Sequence, residues 1–242
     1  MSELVNQFLP KIKNLPCDRI LNKNDILNET FLLQEEKNLK VYYSPHNEYV
    51  NTAAKIVIVG ITPGWQQTKT AYESVIKNLL HCVSKEDILR KAKMAASFSG
   101  TMRNNLIQML DESGVAETLK IGHASTLFST HRDLIHTTSI IKYPVFHKDK
   151  NYTGHHPKIE QSEVLKHYVY TVFPEELNLI RDAALVIPLG KAVENTISSI
   201  MEESKHTLLS GFPHPSGANG HRKKQFVEQK EQLISTIKSW AD

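Results

Sequence analysis

The most apolar stretch of the chain is Lys55-Ile-Val-Ile-Val59, where four β-branched residues follow one another without alternation and stop at Gly60. A run of that kind suits a strand buried on both faces. Residues 134–143 form a second β-rich run. Residues 185–189 form a third, stopped at Gly190, and residues 207–212 a fourth, shorter one. Helical periods lie between them. Residues 71–93 are helical in composition. Ser99 can cap a helix that carries Met102, Leu106, Met109 and Leu110 on one stripe and ends near Gly114. Leu177 and Ile180 mark another helix. Val193, Ile197, Ile200 and Met201 share one face of the next. In residues 225–240, Phe226, Leu233, Ile237 and Trp240 share a face of a terminal helix. The first 40 residues read as helical, with apolar positions at Leu4, Phe8, Ile12, Ile26, Phe31 and Leu32. Residues 40–43 make a short β-rich run, and residues 144–157 read as a polar loop.

Strand and helix alternate four times, which is the signature of a parallel sheet with helices on both faces. Ligands in such sheets sit beyond the carboxyl ends of the strands. The loops after Val59, Ile141, Leu189 and Phe212 are therefore expected to converge on one site.

The chain has 242 residues, 40% apolar and 23% charged. That ordinary globular balance excludes a disordered chain or a fibre. The length sets the expectation at one domain, 1–242, with residues 1–39 as a helical extension packed on it. No apolar run approaches the ~18 residues of a membrane span. The N-terminus lacks the apolar core of a secretory signal, so a cytoplasmic monomer away from membranes is expected. Cys17 and Cys82 are too few for a disulfide framework or a four-thiolate cluster. The formal net charge of +3, with twelve histidines neutral, permits a polyanionic partner without requiring one.

Two loops carry candidate chemistry. Gly60-Ile61-Thr62-Pro63-Gly64 leaves the first strand and runs into Trp65. Its glycines and proline shape a tight turn with exposed backbone N–H groups; by itself it is also an ordinary strand-to-helix turn. The second loop is Gly211-Phe-Pro-His-Pro-Ser-Gly-Ala-Asn-Gly220, followed by His221-Arg-Lys-Lys224. His214 lies between two prolines that restrict its backbone. Ser216–Gly220 is small enough for close approach to a phosphate, and cations follow at once, although such a cluster alone is usually a solvated face. His147, His155 and His156 lie in a polar loop with no HExxH spacing and no cysteine nearby, so no metal is expected. His131, Arg132 and His136 read as surface residues. The chain has neither GxGxxG nor GxxxxGK[ST], which leaves little support for a nucleotide-binding protein unrelated to DNA.

Together the loops resemble the uracil-DNA glycosylase superfamily. Gly60-Ile-Thr-Pro-Gly64 is similar to the GINPG form of its first motif, and His214-Pro-Ser-Gly-Ala-Asn219 to its second. Phe98-Ser-Gly100 resembles the segment that stacks the flipped base. Thr137-Thr-Ser-Ile-Ile-Lys142 resembles its TNxxK strand, and Leu189-Gly-Lys-Ala192 its LGxxA turn. The resemblance runs from about residue 40 to the C-terminus. It implies an α/β three-layer sandwich with a central four-stranded parallel sheet flanked by helices. The implied activity is monofunctional, cofactor-free excision of a base from DNA, in base-excision repair or antiphage defence. By resemblance, His214 and Thr62 are the catalytic candidates, His214 beside the base carbonyl that gains charge. Gly60, Ile61, Pro63, Gly64, Trp65, Phe98, Ser139 and Asn219 would line the base pocket. Ser216, Gly217, Ala218, Arg222 and Lys223 would meet the DNA backbone, with Ala218 at the wedge position.

The departures from the family pattern bear on chemistry. Thr62 stands where relatives carry Asp or Asn to position the attacking water, and a hydroxyl cannot take a full proton at neutral pH. Ser139 stands where Asn reads the pyrimidine edge, and serine cannot make that bidentate pair. Residues 65–97 separate the first motif from Phe98 widely, which predicts an inserted helix. Two readings stay open: a glycosylase acting on a damaged or modified base, or a module that keeps the base-flipping fold and binds damaged or modified DNA without excision.

Overall fold

The computed structural model describes residues 3–79, 81, 84–98 and 100–241. The elements in chain order are α1 (Glu3–Lys13), α2 (Lys23–Ile26), β1 (Leu32–Glu36), β2 (Leu39–Tyr42), β3 (Ile56–Gly60), α3 (Trp65–Leu79), α4 (Lys85–Ala96), α5 (Thr101–Glu112) and α6 (Val115–Thr118). They continue with β4 (Ile135–Ser139), β5 (Val145–His147), β6 (Lys150–Asn151), α7 (Glu163–His167), α8 (Phe173–Asn178), β7 (Leu185–Pro188), α9 (Lys191–Glu202), β8 (Thr207–Leu208) and α10 (Arg222–Ala241). Contacts divide the chain into two compact units. One comprises Met1–Val50, Thr62–Ser97 and Ile141–Tyr168; the other comprises Asn51–Ile61, Phe98–Ile140 and Val169–Asp242.

The second unit holds the expected four-stranded sheet, in the order β4-β3-β7-β8 with every pairing parallel. Ile56, Val57, Ile58 and Val59 of β3 are all fully buried, as a strand covered on both faces requires. Ile56 and Ile58 pack into a cluster with Leu106, Leu110, Leu127, Leu185, Ile187, Phe226 and Leu233. The stripes read from the sequence on α5 and α10 thus pack into the same cluster as the sheet of their unit. The entry into β4 is held by Asn51, whose side-chain amide donates to the carbonyls of Asp133 (2.7 Å) and Ile135 (2.9 Å). The fourth strand is shorter than its apolar run, only Thr207–Leu208. The proposed cap Ser99 lies outside the described residues; Gly100 precedes α5 with φ 85°.

The first unit departs from the sequence pattern. Its sheet is antiparallel, in the order β1-β2-β5-β6. Helix over the first 40 residues holds for α1 and α2, but Leu32–Glu36 is a strand. The polar loop at 144–157 contains the β5–β6 hairpin. Its two turn residues, Lys148 and Asp149, both have positive φ (49° and 60°), the backbone of a type I′ turn. The helical stretch 71–93 falls in two helices, α3 and α4, which together occupy the wide spacing before Phe98. Phe8 stacks on Tyr43 at 4.3 Å, and Phe31 meets Tyr72 edge-on at 5.1 Å. All four rings are buried.

Candidate active site

Three neighbouring strand ends of the second unit assemble the site. Gly60 closes β3 in register with Ser139, which closes β4. A side chain on Gly60 would lie 3.6 Å from the Ser139 hydroxyl, so that hydroxyl sits directly against the β3 terminus. On the other side of β3, the Leu189 N–H donates to the Val59 carbonyl at 2.9 Å, and Gly190 follows. Gly190 has φ 87° and ψ 165°, a conformation essentially reserved for glycine. Its N–H donates to the Phe212 carbonyl (3.0 Å). A Cβ there would lie 2.9 Å from the His214 Cβ. The absence of a side chain at residue 190 is what lets the His214 loop close onto the end of β7.

His214 is held from several directions. Its carbonyl accepts from the Asn219 side chain (3.2 Å). The neighbouring Pro215 carbonyl accepts from Asn105 of α5 (2.9 Å), and the Ser216 carbonyl from Arg222 of α10 (2.9 Å). The Ser216 N–H donates to the imidazole Nδ1 at 3.2 Å. That bond makes Nδ1 an acceptor and assigns the ring proton to Nε2. Burial pushes the imidazole pKa below its usual 6.5, because the cation loses solvation. His214 is therefore a neutral imidazole that offers an Nε2–H donor.

The rest of the loop is small and open. Gly217 and Ala218 are exposed, while Ser216 and Asn219 are half-buried. The Ala218 N–H is taken by the Ser216 hydroxyl (3.1 Å), and the Asn219 N–H by the Ser216 carbonyl (3.1 Å). Lys223 projects from the first turn of α10 and is exposed. Arg222 beside it is committed to bracing the loop. On its α10 side the loop borders a cavity of about 420 Å³ whose lining includes Glu194, Gln225 and Gln229.

Thr62, Pro63, Gly64 and Trp65 belong to the first unit. The Thr62 hydroxyl donates to the Tyr143 carbonyl (2.7 Å) and accepts from the Val145 N–H (3.1 Å). Its only proton is spent within the protein, and one lone pair remains. The Gly64 N–H donates to the Gln67 side chain (3.2 Å), and the Trp65 N–H to Asn151 (3.1 Å). A phosphate would reach these two N–H groups only by displacing two side-chain amides.

Phe98 is only 6% exposed and packs in the second unit's core. Its φ of 48° is uncommon outside glycine and marks a constrained position. His136 is no surface residue. It is 1% exposed on β4, and its Nε2 lies 3.0 Å from the carboxylate of Glu176 on α8, itself 5% exposed. The alternating fold gave no reason to expect that partner. His155 and His156 are exposed and His147 half-buried. Among the described residues no group of three His, Cys, Asp or Glu side chains could hold a metal ion. No described helix is long and apolar enough to cross a membrane. Sequence reasoning missed Asn105 and the contact that Gly190 makes possible. Gly190 was visible as a strand stop; Asn105 had no local signal.

No protein-family model matches the chain. The chain is 48% identical over 242 residues to the protein named Uncharacterized protein YoxB of Bacillus subtilis (strain 168), covering 98% of this chain and 93% of that one. Among solved structures it is similar to wild-type Pedobacter heparinus SMUG2, with a TM-score of 0.48 and 14% identity, covering 99% of this chain and 98% of that one.

Proposed function

The chain belongs to the family of Bacillus subtilis YoxB, and for it we propose the chemistry of a DNA N-glycosylase that extrudes a damaged or modified base and cleaves its bond to deoxyribose without a cofactor. One observation carries this reading. A half-buried, neutral His214, with its proton assigned to Nε2, is clamped at the same sheet end as Gly60 and Ser139. A phosphate-binding loop has no use for such an imidazole. A departing base does, because negative charge gathers on its carbonyl oxygen as the glycosidic bond breaks. One preorganised donor at such an oxygen supplies about 3–4 kcal/mol.

In this reading Ser139 and Asn219 line the base pocket with Gly60 and Ile61, and Phe98 supplies an aromatic wall. Ser216 and Gly217 approach phosphates, Lys223 adds charge, and Ala218 fills the place of the extruded base. Pro63, Gly64 and Trp65 continue the loop from Gly60, and Thr62 can still accept a hydrogen bond from water. The short Ser139 side chain favours a base other than plain uracil. The role is base-excision repair or antiphage defence.

A second reading is favoured by the engaged Thr62 hydroxyl: a module that binds damaged or modified DNA without excision. Mass spectrometry of bases released from a panel of natural and modified DNAs separates the two. Release of a free base supports the glycosylase. Tight binding to the same DNAs with no base released supports the module.

A further inference from the structure

A hydrogen-bond relay runs from α5 to the His214 ring, within the second unit. The Pro215 carbonyl and the Ser216 N–H are the two ends of one peptide plane, and in a trans plane they point in opposite directions. At one end the Asn105 side-chain amide donates to the Pro215 carbonyl at 2.9 Å. At the other the Ser216 N–H donates to the His214 Nδ1 at 3.2 Å. The neighbouring braces hold different planes, since Asn219 grips the His214 carbonyl and Arg222 the Ser216 carbonyl. Among the described residues, every other hydrogen bond of residues 213–220 stays within 213–225. The Asn105 bond spans 110 positions and ties this stretch to a helix whose Leu106 and Leu110 are fully buried in the core cluster. Helix propensity gives no reason for asparagine at an interior position of α5. Its donation to the carbonyl also polarises the plane and strengthens the N–H at the far end as a donor.

We propose that Asn105 is a positioning residue for His214: through the 215–216 peptide it fixes the ring and keeps its proton on Nε2. Its part in catalysis rests on the glycosylase reading above, whereas the relay itself does not. Asn105 touches no reacting atom in this assignment. Without its amide the plane can turn, the Ser216 N–H leaves Nδ1, and the ring proton spreads over both nitrogens. The imidazole then spends part of its time with an acceptor where the departing base needs a donor.

The test reads the ring and the reaction separately. In nitrogen NMR of the full chain at about pH 8, where the imidazole is neutral, His214 is expected to show a protonated Nε2 and a bare Nδ1. A ring protonated at Nδ1 overturns the assignment. Asn105→Leu keeps roughly the size of the side chain and removes its donor. Its two ring signals are expected to move toward each other as the tautomers mix. Single-turnover base release at saturating protein is expected to slow about tenfold or more, with the DNA Kd within about twofold, as misplacement of a reacting group implies. Ring signals that stay in place in folded Asn105→Leu overturn the assignment, whatever the rate. Moved signals with an unchanged rate support the relay and overturn the donor role of His214 instead. If Asn105→Leu does not fold, Asn105→Asp decides by the same signals, because an ionised carboxylate cannot donate to the carbonyl. Loss of folding in both variants makes Asn105 a structural brace and overturns the assignment. An unmodified chain that releases no base overturns the glycosylase reading, and the ring signals still decide the relay.

Discussion

His214 owes its neutrality to burial and its tautomer to one backbone N–H, and both have measurable consequences. Its pKa is lowered on folding, so the unfolded chain binds a proton near pH 6.5 that the folded chain refuses. The contribution is therefore full above that pH, and stability is lost as pH falls below it. The stability difference between the unmodified chain and His214→Gln is expected to shrink between pH 7.5 and 5.5 in urea titrations; a constant difference would show that the imidazole is not held neutral. Gly190→Ala tests the contact that closes the loop. Its backbone conformation alone costs on the order of 1–3 kcal/mol for a residue with a Cβ, and the new atom would also push on His214. The urea midpoint should drop accordingly, with base release falling alongside it. A variant of unchanged stability would contradict the close approach. The sequence announced His214 through its flanking prolines. It could not announce that Gly190 touches it, because that contact joins residues 24 positions apart and leaves no periodic trace.

The four parallel strands were legible as elements because each is a short apolar run ended by a turn residue or followed by a helical period. The antiparallel sheet was not. Leu32-Leu-Gln-Glu-Glu36 is rich in helix-favouring side chains and becomes a strand through pairing with Leu39–Tyr42 across a turn in which Lys37 takes φ 57°. Tertiary pairing overrides local preference there. The β5–β6 hairpin turns at Lys148-Asp149, without the Asn-Gly or Asp-Gly pair that usually signals a type I′ turn. The basic start of α10 was visible as a cluster, but not its division of labour. Arg222 braces Ser216, whereas Lys223 and Lys224 are exposed. A Lys223→Ala/Lys224→Ala variant should therefore keep the loop intact and lower the salt dependence of DNA binding. Each lost phosphate contact removes about 0.7–0.9 from the slope of log K against log salt. An unchanged slope in anisotropy titrations would place this turn off the DNA.

Over the whole chain, the net charge of +3 is unevenly shared. The first unit holds 17 Lys and Arg against 13 Asp and Glu, a balance of +4, and the second holds 12 against 13, a balance of −1. The imidazole and the strand ends thus sit in a unit with little net charge of its own, and local cations such as Lys223 matter more to it than the overall balance. The parallel sheet and its loop order could be read from the sequence; the partition into two units could not, because each unit is assembled from segments far apart in the chain. Uracil is expected to leave more slowly than the best modified base in the panel, since Ser139 is too short to read the uracil edge as asparagine does. Ser139→Asn should narrow that gap, and fast, selective uracil release by the unmodified chain would contradict the prediction. Whether His214 donates to the leaving base is decided by single-turnover release from saturated DNA by the unmodified chain and by His214→Ala. The expected result is a loss on the order of 100-fold or more in rate with DNA affinity nearly unchanged. Equal rates in the two proteins, or weakened binding with a normal rate at saturation, would contradict it.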